Sequence, residues 1–235
     1  MNVLVACEES QRVCIAFREK GHRAFSCDIQ ECSGGHPEWH IKGDVLKLLS
    51  PERQSIPGDA WYGFKFRTMD GVMHCIEGEW DMIIAFPPCT YLSNAGACRL
   101  YPKKGQIDPE RYRKGLEAKA FFMEFYNACC PKIVIENPVS SKIFNMPPHT
   151  QEIQPYEFDT ENEHPYTKKT RLWIRGGLTP LTPTTPDRKP TGPYVPSGTG
   201  RKDSTKYGAA KRGDDAKNRS KTFIGIAKAM ADQWG

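Results

Sequence analysis

Short apolar runs separated by polar, turn-forming stretches set the pattern of this chain. Val3-Leu4-Val5-Ala6, Arg23-Ala24-Phe25-Ser26-Cys27, Asp81-Met82-Ile83-Ile84-Ala85 and Lys132-Ile133-Val134-Ile135 are too short for helices and nearly continuous in apolar residues. That is how strands buried on both faces read. Helical periods lie between them. Gln11 to Lys20 carries Val13, Cys14, Ile15 and Phe17 on one stripe and is closed by Gly21. Asp108-Pro109 reads as an N-cap followed by proline at the first helical position. It opens a helix to about Ala128 with a stripe of Leu116, Ala120, Met123 and Tyr126, widened by Phe122 and Phe125. Gln154 to Phe158 and the run ending in Leu172-Trp173-Ile174 read as further strands, and Ser220 to Ala231 as a closing helix. Strand–helix alternation of this kind predicts an α/β fold.

Two strand ends carry candidate chemistry. After Ala85 comes Phe86-Pro87-Pro88-Cys89-Thr90-Tyr91-Leu92-Ser93-Asn94-Ala95-Gly96. The prolines stop the strand and stiffen the loop beyond it. Cys89 is thereby placed in the crevice beyond the carboxyl end of a strand, where α/β sheets bind ligands. It is either an aimed nucleophile or a small buried hydrophobe. The next strand ends in Glu136-Asn137-Pro138, and Pro138 is expected to stop it. A glutamate that holds or gives a proton, beside a thiol, is a working pair for covalent catalysis.

Other stretches are less specific. The strand over Arg23–Cys27 ends in Asp28, an acid placed to accept hydrogen bonds from ribose hydroxyls. Glu8 and Glu9 either meet a cationic group or start a helix favourably near its dipole. Cys27, Cys32, His36 and His40 match no strong zinc pattern, and no metal is expected. From Pro51 to Trp80 the periodicity is poor, and Trp61, Phe64 and Phe66 either cover the sheet, as core or an inserted hairpin, or stack on bases. Arg99, Lys103 and Lys104 lie on a loop that either meets phosphates or is simply solvated. From Leu178 to Arg219 prolines, glycines and basic residues dominate, so an extended, irregular basic segment is expected.

Composition narrows the class. The 235 residues suit one well-buried domain. A mean hydropathy of −0.60, with no apolar run of membrane-spanning length, points to a soluble and cytosolic protein. Nine cysteines without a secretory signal read as reduced thiols. The net charge of +5 is compatible with a polyanionic partner.

Pro-Pro-Cys-x-x-x-Ser-x-Ala-Gly followed by Glu-Asn after the next strand resembles the cytosine-C5 DNA methyltransferases. The resemblance covers most of the chain in the family's order. It implies a Rossmann-like fold that binds S-adenosylmethionine (SAM), with a mixed seven-stranded sheet and helices on both faces. It implies that Cys89 attacks C6 of cytosine, that Glu136 contacts N3, and that C5 is methylated. Asp28-Ile29 is similar to the family's acidic-then-bulky pair, which binds the SAM ribose and packs on adenine. Gly43-Asp44-Val45 looks like its Gly-Asp-Ile, whose acid meets the adenine amino group. Ala6, Cys7, Glu8 and Pro87 fall at further cofactor positions, as do Ser220 and Thr222 in the final motif. Pro88, Ser93 and Asn137, with Arg99, Lys103 and Lys104 on the loop that closes over an extruded base, fall at substrate positions. Thr167-Lys168-Lys169-Thr170-Arg171 aligns with Gln-x-Arg-x-Arg, which puts Lys169 and Arg171 beside the target base.

Thr167 and Lys169 stand where the family has Gln and Arg, and the chain departs from the family in two further places. The first loop has no glycine, and residues 178–219 are too short and polar for a target-recognition domain. The expected organisation is a catalytic and cofactor-binding region over 1–177, that basic segment, and a helix over 220–235 that returns to the first region. The expected partner is DNA, and the acceptor alternatives are a free cytosine nucleotide, single-stranded DNA or RNA. A group larger than methyl, from a modified SAM, is the related alternative. A non-catalytic nucleic-acid-binding module is the alternative of another class.

Overall fold

The computed structural model describes residues 1–56, 59–161, 165–193 and 221–235. Its centre is a seven-stranded mixed sheet. In chain order the strands of the described residues are β1 (Asn2–Ala6), β2 (Arg23–Asp28), β3 (His40–Lys42), β4 (Glu52–Ile56), β5 (Asp59–Arg67), β6 (Met73–Glu77), β7 (Met82–Ala85), β8 (Lys132–Pro138), β9 (Gln151–Ile153), β10 (Tyr166–Thr167), β11 (Thr170–Arg175) and β12 (Gly192–Pro193). Among the described residues the α-helices are α1 (Arg12–Glu19), α2 (Ala97–Leu100), α3 (Pro109–Tyr126) and α4 (Ile224–Trp234).

The large sheet runs β3-β2-β1-β7-β8-β11-β9. The pairs from β3 to β8 are parallel, and β11 runs antiparallel to both its neighbours. The strands alternate as their pleat dictates. Val3, Val5, Met82, Ile84, Val134, Leu172 and Ile174 face α1 and α4. Leu4, Ala6, Ile83, Ala85, Ile133, Ile135 and Trp173 face the other side, against Phe122 and Phe125 of α3. A separate antiparallel sheet, β4-β5-β6, supplies buried Phe64, Phe66 and Ile76 to that second face. Phe64 and Phe66 thus serve as core, whereas Trp61 is only half-buried and lies under the Lys65 ammonium, and Phe25 packs edge-on against Phe66.

Three expectations are corrected. Pro138 does not stop its strand: β8 runs through it, paired with Thr170. Residues 154–158 are not a strand. Pro155–Phe158 is a 3-10 turn, opened by a proline and held by the Gln154 N–H donating to Glu157 Oε2 at 2.7 Å. On α3, Leu116 is 44% exposed and Ala120 is also exposed, while Gly115, Phe122 and Phe125 are buried. Asp108 does cap that helix, its Oδ1 accepting from Arg111 N at 2.7 Å.

The Pro-rich stretch after β11 begins as a fastened strap. Leu181 is buried, and the Gln151 amide bonds both its N–H (2.8 Å) and its carbonyl (2.7 Å). Gln233 of α4 does the same to Thr182. Residues 194–220, which include Ser220 and most of the expected basic segment, lie outside the described residues.

Helix α4 reaches its place through Gly225. A Cβ built there would stand 1.9 Å from the Phe158 carbonyl oxygen. We expect Gly225→Ala to lower stability by about 2 kcal/mol, since overpacking here meets backbone rather than a side chain that can turn away. Thermal melts followed by circular dichroism check this. An unchanged or higher melting temperature, as helix propensity alone would give, would contradict the close packing.

Candidate active site

Cys89 follows β7 and Glu136 lies near the carboxyl end of its parallel neighbour β8, so both stand at one end of the sheet. Ala85 pairs with Ile135, which sets the two loops side by side. Four contacts then sew them together. Asn137, fully buried, donates Nδ2 to the Pro87 carbonyl at 2.9 Å. Asn94 N donates to Val139 O and Ser141 N to Leu92 O, each at 2.8 Å, and Ser93 bridges Ser140. Within the loop the Cys89 carbonyl accepts from Leu92 N (3.1 Å) and Ser93 N (2.8 Å), folding it into a tight turn. Ser93 Oγ caps the following turn by accepting from Ala95 N at 3.1 Å. Asn137 and Ser93, expected at substrate positions, here hold loop geometry.

Cys89 is half-buried, Pro87 buried and Pro88 exposed. Arg111 of α3 donates to Thr90 O at 2.8 Å and lies 5.1 Å from the Tyr91 ring centroid. It fits because residue 96 is glycine: a Cβ there would come 2.7 Å from the guanidinium. Nothing in the sequence pattern singled out Arg111. Arg99, Lys103 and Lys104 are exposed, and every residue from Tyr101 to Ile107 is open to solvent.

Glu136 keeps some surface as a residue, but its carboxyl is enclosed. Burial pushes its pKa up, opposed by the charge of Lys168 and a hydrogen bond from the Thr170 hydroxyl. Strand register explains these partners. Leu172 pairs with Glu136, so Thr170, two residues away, shares its face, whereas Arg171 pairs with Asn137 on the opposite face. There Arg171 Nε and Lys169 Nζ both reach Glu152 at 2.9 Å. The sheet therefore brings Lys168 and Thr170 to Glu136, and sets Lys169 and Arg171 apart from it.

The expected cofactor positions gather at the ends of β1, β2 and β3. Gly43 N donates to Asp28 O at 2.9 Å, joining the Asp28 and Asp44 loops. Asp28 is half-buried and accepts from Gln30 N, and Ile29 beside it is 77% exposed. Asp44 caps a 3-10 turn through Leu46 N, while Val45 is buried in the core. Burial, then the charges of Asp28, Cys27 and Asp44, raise the Cys7 thiol, and burial pushes Cys27 up to about 12. These are unreactive thiols that mark how closely the acids stand.

The loop after Ala6 has a left-handed backbone at Cys7 (φ 59°) and Gln11 (φ 59°) despite its lack of glycine. Glu8 goes to the helix: its carboxylate accepts from Val13 N at 2.7 Å and Cys14 N at 3.2 Å. Thr222, ahead of α4, meets the same region, its carbonyl accepting from Arg12 at 2.7 Å.

Of the four residues weighed for zinc, His40 is buried and bonded to Ser26 Oγ (2.8 Å) and Gln30 O (3.0 Å). His36 stacks on Trp39 and bonds Glu38. Among the described residues no group of three or more His, Cys, Asp or Glu could hold a metal ion. No helix among them is long and apolar enough to cross a membrane. Neither a scan against models of known protein families nor a search of curated proteins finds a match to this chain.

Proposed function

We propose that this protein is a SAM-dependent methyltransferase acting on C5 of cytosine in DNA. The observation that carries the reading is the sewn pair of loops, which presents a half-buried thiol and an enclosed carboxyl, its pKa raised by burial, at neighbouring strand ends. The seven-stranded mixed sheet supports it as the framework the resemblance implies.

The residues present fit the adenosine end of the cofactor. Exposed Ile29 offers an apolar face for a purine, Asp28 an acid for ribose hydroxyls, and Asp44 an acid for an exocyclic amine. Glu8 accepts from Val13 N and Cys14 N in the first turn of α1.

In this mechanism the Cys89 thiolate adds to C6 while Glu136 places its proton on N3, where charge builds. SAM, when bound, supplies the methyl group for C5. A solvent base then takes the C5 proton, the C6–S bond breaks to release the Cys89 thiolate, and the N3 proton returns to Glu136. In duplex DNA the base must first leave the stack, at a cost of a few kcal/mol. The exposed basic loop of Arg99, Lys103 and Lys104 is placed to meet phosphates beside it.

The test is incubation with radiolabelled SAM and duplex DNA, single-stranded DNA, RNA or dCMP, followed by digestion to nucleosides. Label in 5-methylcytosine is the expected result. Its absence from every acceptor would overturn the reading, and label in dCMP or RNA would change the substrate. We expect Glu136→Gln to lower turnover about a hundredfold with little loss of SAM affinity. A selective loss of affinity by calorimetry would contradict its role. One second reading has an observation in its favour: the glycine-free first loop, with its acid turned to α1, suits a nucleic-acid-binding module without catalysis. Failure to bind SAM at millimolar concentration would select it.

A further inference from the structure

Lys168, Lys169, Thr170 and Arg171 are consecutive, but the pleat divides them. Lys169 and Arg171 are held by Glu152 on one face of the sheet. Thr170, only 5% exposed, shares the other face with Glu136, and its hydroxyl also lies 3.3 Å from the Lys168 carbonyl. The Lys168 ammonium lies 5.1 Å from the ring centroid of Phe223, at the start of α4.

We infer that Thr170 and Lys168 are positioning residues for Glu136, Thr170 fixing the rotation of its carboxyl and Lys168 balancing its charge. The inference rests on the reading of Glu136 as the group that meets N3. A threonine hydroxyl has one hydrogen and two acceptor sites. When Glu136 is protonated, one of its oxygens accepts from the Thr170 O–H, and the O–H on the other is left to meet N3. When Glu136 is ionised, the Thr170 O–H stays on the same oxygen, and the other accepts from protonated N3. In both states one carboxyl oxygen is taken by Thr170, and the other is left for the base.

Burial raises the pKa of the Glu136 carboxyl and favours its protonated form, and Lys168 and Thr170 oppose that burial and favour release of the proton. Among the described residues, the charged group that acts on it is Lys168 from the β10–β11 link. Lys169 and Arg171 face away.

The test tracks the Glu136 carboxyl by ¹³C NMR in protein labelled at glutamate Cδ, with its resonance assigned by its loss in Glu136→Gln. Thr170→Val and Lys168→Met should each raise its titration midpoint by about one unit, and Thr170→Ser should restore it. The high-pH limb of kcat/KM for methyl transfer should move upward with the midpoint. A midpoint unmoved in both Thr170→Val and Lys168→Met, or not restored by serine, overturns the inference. Midpoints that move in a protein that methylates no acceptor uphold the inference and defeat the methyltransferase reading.

Discussion

Cys89→Ala is expected to abolish methyl transfer, by at least roughly a thousandfold, and to leave the fold intact. The two halves of this expectation have separate grounds. No other group described at the sewn loops can replace a sulfur nucleophile. The neighbouring hydroxyls of Thr90 and Ser93 are far weaker nucleophiles than a thiolate, and Ser93 Oγ accepts from Ala95 N. The fold should survive because the loop is held by its backbone. The Cys89 carbonyl, which alanine keeps, accepts from Leu92 and Ser93, and the remaining contacts come from Asn137, Asn94, Ser141 and Arg111. Turnover and a thermal melt on the same preparation check both halves. Activity within tenfold of the parent protein would remove Cys89 from the chemistry. Lost activity with a collapsed melt would not count for it, and Cys89→Ser would then be the variant to compare.

The second large effect concerns stability. Glu8 is 4% exposed, and both carboxylate oxygens accept from the first turn of α1. Replacing it by alanine leaves two buried N–H groups without their acceptors, at a cost of about 2–4 kcal/mol. Burial also pushes the Glu8 pKa up from 4.5 to about 7, against the pull of those N–H groups and Arg12. The folded chain therefore binds the proton more tightly than the unfolded chain. The resulting stabilisation is present at pH 4.5 and below. It is lost as pH rises toward 7, and is worth roughly 3 kcal/mol in all by linkage. Glu136 shifts in the same direction, so the wild type alone does not isolate Glu8. Denaturant midpoints at pH 5 and pH 8 should fall further in the wild type than in Glu8→Gln. Parallel losses in the two proteins would refute the assignment.

The parts of this molecule that were legible in the sequence are those written locally. β1, β2, β7 and β8 are continuous apolar runs because both their faces are covered, and Asp108-Pro109 starts α3 because capping needs only neighbours. What was not legible depends on partners far along the chain. The α3 stripe runs through Gly115 because Phe144 presses there: a Cβ would lie 2.2 Å from its ring. Apolar periodicity pointed instead to Leu116, which faces solvent. At the candidate site, alignment to a motif selected Lys169 and Arg171, whereas pairing with β8 and β9 decides which side chains meet Glu136. The order of residues along a strand carries alternation, but which parity faces the carboxyl is set by the neighbouring strand. Glu8 was ambiguous for a related reason. An acid just ahead of a helix serves the helix or a ligand equally well until its distances to Val13 and Cys14 are known.

Gln11 joins the α1 entrance to a wider frame. Its buried amide bonds the His36 N–H and carbonyl and reaches Ser26, which bonds His40, which in turn bonds the Gln30 carbonyl. Gln11, Ser26, Gln30, His36 and His40 are thereby tied together beside Asp28 and Ile29. Under the proposed function, a cofactor docking there would meet backbone already fastened and would spend little entropy on ordering it.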